Sequence, residues 1–377
     1  MCALQEETHQ SKLAALCDMR FLVADSRFSK CDEGRPNCAN CQRAGVVCTY
    51  DQLKVPTSPT HSASASPAGS TASTLVYEQS PTFDMLDLSL MHHYTVSTSL
   101  GLFAGHGARE IWQEMVPNQA QCNPLLMHGI LALASMDLAR TRPNERQIYA
   151  TRALAHQNAG TRLFRSMLEQ VRQSDSHNVV MVFSMILAIL AFALPHARDD
   201  PPDFDEILDL FSLIRGCKTV WLLSPESLAG TSLGQWIKTV FAGHPIMVKP
   251  EVDRSFQILR ARLTDPADIV AIDQLREFIH GELATSSGGV ANLGRWPTMV
   301  SDAYWQRVQN HEVDALLVLS HYSVVLGAPS HQWWSADWDS ILLQAIDKAL
   351  PQVDKKLVEW DLSAMMKIAR SYNESQV

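Results

Sequence analysis

The residues of this chain best suited to bind a metal are four cysteines that lie close together in the sequence. Cys31, Cys38, Cys41 and Cys48 are separated by six, two and six residues. A gap of two residues lets two thiolates of one tight turn reach the same tetrahedral zinc, at Zn–S distances of about 2.3 Å. A disulfide framework is the alternative, but such frameworks are typical of cysteine-dense secreted domains, and the 377-residue chain holds only eight cysteines in all. The spacing therefore favours zinc.

The residues around these cysteines resemble the second half of a fungal binuclear zinc cluster, a DNA-binding domain in which six cysteines hold two zinc ions. In that family this half contains a lysine, a cysteine, an aspartate, a proline, a close cysteine pair, and a last cysteine followed by a tyrosine. The matching residues are Lys30, Cys31, Asp32, Pro36, Cys38, Cys41, Cys48 and Tyr50. The resemblance implies a transcriptional regulator of RNA polymerase II genes that works in the nucleus, which it could enter by shuttling from the cytoplasm.

The first half of the cluster does not match the family. Two further cysteines precede the third one in the family, and Phe21 and Ala24 occupy those positions here. The basic run that separates the two halves retains only Arg27 and Lys30 as positive residues. One of the missing thiolates would bridge both metals, so two zinc ions are not expected. The prediction is one zinc on the four remaining cysteines, with an unmetallated segment as the alternative.

The charge of the N-terminal region argues against tight DNA binding. Residues 1–82 contain seven basic and eight acidic residues, a net charge of −1, whereas a DNA-reading module needs positive charge to replace the counterions of phosphate. We therefore expect weak binding to DNA elements of the CGG type, with Arg27 and Lys30 as contacts. Two explanations stay open: residues 1–29 come from an alternative start or a retained intron, or this protein has lost DNA binding.

Composition divides the chain into three predicted parts. Residues 1–55 form the degenerate zinc cluster region. Residues 56–82 are rich in Ser, Thr, Pro and Ala, so they cannot bury enough apolar surface to offset the entropy of ordering, and we predict a disordered linker. Residues 83–377 are long and apolar enough for one large core, and with 24 basic and 32 acidic residues they carry a net charge of −8, which excludes a nucleic-acid surface as the main feature of this part.

The third part has helical periodicity and lacks the alternating β-branched runs of strands, so the predicted fold class is all-α. The most apolar segment, 179–194, stops at Pro195 and is shorter than the ~20 residues that a membrane helix needs, so it is predicted to be a central core helix rather than a membrane span. The predicted helices are 84–99, 123–140, 144–173, 179–194, 204–223, 266–284, 302–326 and 337–360.

No residues suggest catalysis. The segment Asp199–Asp203 resembles the aspartate motif that binds magnesium in helical terpenoid synthases, but Pro201 and Pro202 prevent the helix that such a motif needs. We expect an exposed acidic loop there. Histidines 92, 93, 128, 156 and 321 are interpreted as core or helix-face residues, and the tryptophans 333, 334 and 338 as packing residues in preference to the lining of a ligand cavity. The chain is predicted not to be an enzyme.

The helical part resembles the regulatory domain of sterol uptake control proteins and related fungal regulators. The resemblance covers most of residues 90–360 and includes "MHHYTVSTSL", "IWQEMVPNQAQCNPLLMHGILALASMDLAR" and the closing "LVEW". It implies a homo- or heterodimer and binding of a sterol or another apolar ligand, but no pocket residue can be assigned from it. The alternative function is an interaction or small-molecule-sensing protein that does not bind DNA and dimerises with an intact paralogue.

Overall fold

The computed structural model describes residues 83–103, 107–170, 176–223, 225–241, 250–280, 292–327 and 332–373. Within these ranges every regular element is a helix, which confirms the all-α prediction. The predicted zinc cluster region 1–55 and the predicted linker 56–82 lie outside the described residues, so the four cysteines, Arg27 and Lys30 are not placed.

Seventeen α-helices are described in these ranges. The first eight are α1 Met85–Val96, α2 Val116–Ala120, α3 Pro124–Thr141, α4 Arg146–Gln170, α5 His177–Ala193, α6 Phe204–Leu223, α7 Pro225–Ala229 and α8 Ser232–Phe241. The others are α9 Pro250–Arg262, α10 Pro266–His280, α11 Asn292–Met299, α12 Asp302–Gln309, α13 Val313–His321, α14 Ser323–Gly327, α15 Trp338–Ala349, α16 Gln352–Leu357 and α17 Leu362–Asn373. A π-helical segment, Glu110–Met115, leads directly into α2.

Helices begin where the sequence supplies N-terminal caps. Asn123 accepts hydrogen bonds from the backbone N–H groups of Leu125 and Leu126, at 3.1 and 3.4 Å, and Pro124 occupies the first turn of α3. This start was predicted, because a side-chain acceptor before the helix satisfies backbone donors that lack a partner inside it. Asp84 and Asp87 form a reciprocal capping box at the start of α1.

The core centres on α3 and α5, the helices with the most buried side chains. Helix α3 packs against α1, α2, α4 and α5, and α5 packs in turn against α6. Two glycines, Gly129 of α3 and Gly160 of α4, permit these helices to approach α5 closely. A Cβ at Gly129 would come within 2.9 Å of Ile186 Cδ1, and one at Gly160 within 2.6 Å of Phe183 Cζ. Real Cβ atoms do not approach other heavy atoms so closely, so larger side chains at these positions would push the helices apart.

Helix α5 is the predicted core helix. With the 3₁₀ turn that follows it, His177–Ala197 is long and apolar enough to cross a membrane by length and composition, but 67% of its most apolar window is buried in the protein. Its burial among α3, α4 and α6 accounts for its hydrophobicity. The prediction of a core helix is confirmed.

Two of the predicted helices are wrong in extent. The segment 302–326 is three helices rather than one, because the polar run after Gln309 breaks the first. His311 adopts the left-handed conformation (φ 56°), and Glu312, in an extended conformation, occupies the position before α13. The segment 337–360 is interrupted at Pro351, which lacks a backbone N–H and holds Leu350 in an extended conformation (φ −73°, ψ 125°). Four helices of eight or more residues were not predicted: α8, α9, α11 and α17.

The tryptophan tract packs into the core, as predicted. Trp334 and Trp338 are buried, and their indole N–H groups donate to the carbonyls of Leu102 and Phe192, each at 2.9 Å. Phe192 contacts both indole rings edge-on. The Trp334 bond joins the segment before α15 to the chain after α1, and the Trp338 bond joins the first residue of α15 to the end of α5. Each bond satisfies an indole N–H that is buried away from water.

Candidate functional site

The body of the protein contains an apolar cavity between α5, α6, α8 and α11, which we call the α6–α8 cavity. Its volume is about 320 Å³, at the lower end of the range of ligand sites, roughly 300–1,000 Å³. The apolar lining is Met181, Ile214, Trp221 and Ile237. Three of these side chains are at least 94% buried, and Trp221 is half-buried. The cavity therefore has an apolar wall that the surrounding helices hold in place.

The polar lining of the α6–α8 cavity consists of Cys217, Lys218, Lys238 and Thr298. The Lys218 ammonium donates to the Thr298 carbonyl at 2.5 Å, near the C-terminal end of α11. Burial raises the pKa of the Cys217 thiol to about 11, so this thiol is neutral at pH 7. Among the residues that the structure describes, none that lines the cavity is acidic. The polar part of the lining is therefore cationic in a chain whose net charge is −9.

A second, smaller recess of about 240 Å³ lies between the ends of α9, α12, α13 and α16. Its charged lining includes both signs, and these groups pair with one another: Arg307 with Glu312 at 2.7 Å and Arg262 with Asp314 at 3.8 Å. With Asp354 as a third carboxylate against two arginines, the described lining has a slight excess of negative charge, and its arginines are already paired.

A buried carboxylate anchors the first helix to the body. The Asp87 side chain, 3% exposed, accepts from Arg152 at 2.6 Å and lies 2.9 Å from His156 Nε2. His156 Nδ1 lies 3.0 Å from His128 Nδ1, so one of the two nitrogens is protonated and donates a hydrogen bond to the other. Burial lowers the pKa of His128 to about 4. The arrangement joins α1 to α3 and α4, and no described nucleophile completes it as a catalytic site.

His93 makes a similar contact with a buried carboxylate. His93 lies 3.0 Å from Asp137, which also accepts from Thr98 and Arg140. Among the residues described, no group of three His, Cys, Asp or Glu side chains could hold a metal ion. The interpretation of these histidines as core or helix-face residues is confirmed, but their carboxylate partners were missed because they lie 44 and 69 positions away.

His321 makes folding sensitive to acid. It is buried, with its Nδ1 at 2.9 Å from the Leu317 carbonyl and its Nε2 at 2.9 Å from Ser255 Oγ. Burial lowers its pKa from 6.5 to about 4. Below pH 6.5 the unfolded chain therefore binds a proton that the folded chain does not. As the pH falls from 7.5 to 5, this difference lowers the free energy of unfolding by about 2 kcal/mol.

We predict that His321→Gln reduces the change in the free energy of unfolding between pH 7.5 and 5. Urea unfolding of the full chain at pH 7.5 and 5 measures it, because the variant has no proton to take up at position 321. His92→Gln, at an exposed position of α1, is the control and should keep the wild-type difference between the two pH values. An unchanged difference in the His321 variant would contradict the assignment.

Residues 199–203 form the exposed acidic loop that the sequence predicts. Residues 199–203 are not helical, and Asp199 is 96% exposed and pairs with Arg146. Asp203 caps α6 by accepting from the Glu206 N–H at 2.9 Å. These aspartates therefore form a surface loop and a helix cap instead of facing a cavity.

Two domain families match the chain. Residues 27–55 match the fungal Zn(2)-Cys(6) binuclear cluster domain, and residues 89–222 match the fungal specific transcription factor domain. The second match spans α1 to α6, which includes the two central helices and one wall of the α6–α8 cavity. Over these two ranges the chain is therefore similar to the fungal zinc cluster transcription factors.

Curated relatives carry the same class of name. A Zn(2)-C6 fungal-type transcription factor of Aspergillus fumigatus is 25% identical over 64% of this chain and 64% of its own length. Another from Gibberella zeae is 29% identical over 33% of this chain and 36% of its own. Sterol uptake control protein 2 of Candida albicans is 30% identical over 34% of this chain and 17% of its own. The chain therefore spans less than two thirds of the length of these relatives.

Proposed function

We propose that this protein is a fungal transcriptional regulator with three parts: a zinc-binding, DNA-contacting region at 1–55, a linker at 56–82 and a helical regulatory domain at 83–377. The observation that carries the proposal is the presence in one chain of both family matches, with the zinc cluster before the regulatory domain. The protein acts in the nucleus without catalysing a reaction, and it reaches the nucleus by shuttling from the cytoplasm.

The zinc-binding region holds one zinc ion through Cys31, Cys38, Cys41 and Cys48. The matched segment contains four cysteines where the name of the domain specifies six. Four thiolates complete one tetrahedral zinc site, whereas a binuclear cluster needs the two thiolates that Phe21 and Ala24 replace. When bound, the metal supplies a fixed structure for the short segment that carries Arg27 and Lys30.

The expected DNA affinity is low and depends weakly on salt. Each phosphate contact adds about −0.9 to the slope of log K against log salt concentration, so contacts from Arg27 and Lys30 predict a slope near −2. The experiment is fluorescence anisotropy of a labelled duplex with a CGG element, titrated with the full chain at several salt concentrations. Nanomolar, sequence-selective binding at physiological salt with a steep slope would contradict this proposal.

The helical domain forms a homo- or heterodimer and binds an apolar small molecule in the α6–α8 cavity. The size and apolar lining of the cavity support this part of the proposal. The similarity to sterol uptake control protein 2 makes a sterol the first candidate ligand. Thermal unfolding of the full chain with solubilised ergosterol tests it, since a ligand at a hundred times its Kd stabilises by about 2.7 kcal/mol.

A second candidate function is that of a partner protein without DNA binding. It is favoured by Phe21 and Ala24 in place of two cysteines and by the net charge of −1 over residues 1–82. Such a protein would dimerise with an intact paralogue and control how much of it can bind DNA. Absence of any detectable duplex binding, together with a stable heterodimer, would select this function.

A further inference from the structure

The position of the charges in the α6–α8 cavity carries information about its ligand. Met181, Ile214 and Ile237 are buried, whereas Lys218 of α6 and Lys238 of α8 are exposed. The cavity is therefore apolar inside and has one ammonium group on each of two helices at the solvent side. This distribution matches a molecule with an apolar body and a polar head that faces the solvent.

Neither lysine is neutralised by a carboxylate in the part of the chain that the structure describes. Lys218 donates to the Thr298 carbonyl, which occupies one of its three N–H donors. The neighbouring cation on α6, Arg215, pairs with Asp302 and stacks on Trp305, so it is already compensated. Among the described residues, Lys218 and Lys238 thus have no carboxylate partner on the lining.

Of the other two polar residues of the lining, Thr298 is uncharged and Cys217 carries no negative charge at pH 7. Cys217 is half-buried, and its thiol lies 3.4 Å from the Ser184 carbonyl oxygen. With a pKa of about 11 it stays protonated at pH 7, so it adds no negative charge beside the lysines. On the lining that the structure describes, an anionic head group would meet two cations and no carboxylate.

We propose that the α6–α8 cavity binds an anionic amphiphile, a hydrocarbon body with a carboxylate head that lies between Lys218 and Lys238. This inference rests on the proposed binding of an apolar small molecule in the same cavity. It narrows that ligand to anionic, fatty-acid-like molecules, which the lysines favour over the sterol that similarity alone suggests. A carboxylate accepts charge-assisted hydrogen bonds from both ammonium groups, while the chain contacts the apolar wall.

The test compares dodecanoate with dodecanol, which has the same chain length and an uncharged head. Both are titrated into the full chain by calorimetry below the concentration at which dodecanoate forms micelles, and ergosterol in cyclodextrin is a third ligand. We expect one dodecanoate per chain and weaker binding of dodecanol and ergosterol. Equal or tighter binding of either neutral ligand would overturn the proposal while leaving an apolar cavity in place. Absence of saturable binding by all three would refute the cavity as a ligand site.

Charge-removing variants complete the test. Lys218→Met together with Lys238→Met keeps the apolar stems and removes both ammonium groups, so dodecanoate should bind roughly tenfold more weakly and dodecanol with unchanged affinity, as expected for two partly exposed ion pairs. Lys348→Met, at an exposed position of α15, is the matched control and should bind dodecanoate like the wild type. Dodecanoate affinity that does not change in the double variant would overturn the proposal.

Discussion

Replacing Arg307 with leucine should lower the free energy of unfolding by about 3–5 kcal/mol. The guanidinium of Arg307 forms a two-pronged pair with Asp268, whose side chain is fully buried, at distances of 2.9 to 3.2 Å. It also contacts Asp265 at 3.0 Å and Glu312 at 2.7 Å. Without Arg307 the Asp268 carboxylate would be left in the interior with no cation, and an uncompensated buried charge is costly.

The control for this prediction is Arg260→Leu. Arg260 Nε donates to both carboxylate oxygens of Asp273, at 2.8 and 2.9 Å, but both side chains of this pair are more than 40% exposed. Exposed pairs contribute at most about 1 kcal/mol. Urea unfolding of both variants at pH 7 measures the difference, and similar losses in the two would show that burial of Asp268 does not decide the cost.

Replacing Cys38 with serine is expected to abolish zinc binding by the chain. Cys38 belongs to the close pair with Cys41, and a serine hydroxyl cannot replace a thiolate as a strong zinc ligand. Structural zinc contributes about 10 kcal/mol or more to small zinc-dependent folds, so no partial occupancy is expected at micromolar zinc. Metal analysis of the purified full chain should give one zinc in the wild type and none in the variant.

Cys122→Ser provides the control, because Cys122 is a free, exposed cysteine of the helical domain. This variant should retain one zinc per chain. Two tightly bound ions in the wild type would contradict the interpretation of Phe21 and Ala24 as lost ligand positions.

Much of the fold could be predicted because the signals that define its helices are local. Asn123 before Pro124, and Asp203 before Glu206, mark helix starts within four residues of sequence. The apolar run ending at Pro195 identified the core helix by composition. The lengths of two helices were predicted wrongly. The chain breaks at His311 and at Pro351, although the hydrophobic pattern of each segment continues beyond the break.

The polar contacts of the body could not be predicted in the same way. Asp87 and His156 are 69 positions apart, and Lys218 and Lys238 come together only because α6 and α8 line one cavity. No local pattern distinguishes these residues from the polar faces of other helices. A basic residue within an apolar stretch, as in "GCKTVWLL" and "QWIKTVF", is the one sequence feature that could have suggested the cavity lysines.

The central claim, that the chain regulates transcription through its zinc-binding region, is tested most directly by genomic occupancy in fungal nuclei. A tagged full chain and its Cys38→Ser variant are expressed at equal levels, and the DNA that crosslinks to each is sequenced. The account predicts that the wild-type chain is enriched at promoters and that the enrichment is lost in the variant. Enrichment that persists in the variant, or no enrichment of the wild type, would contradict it.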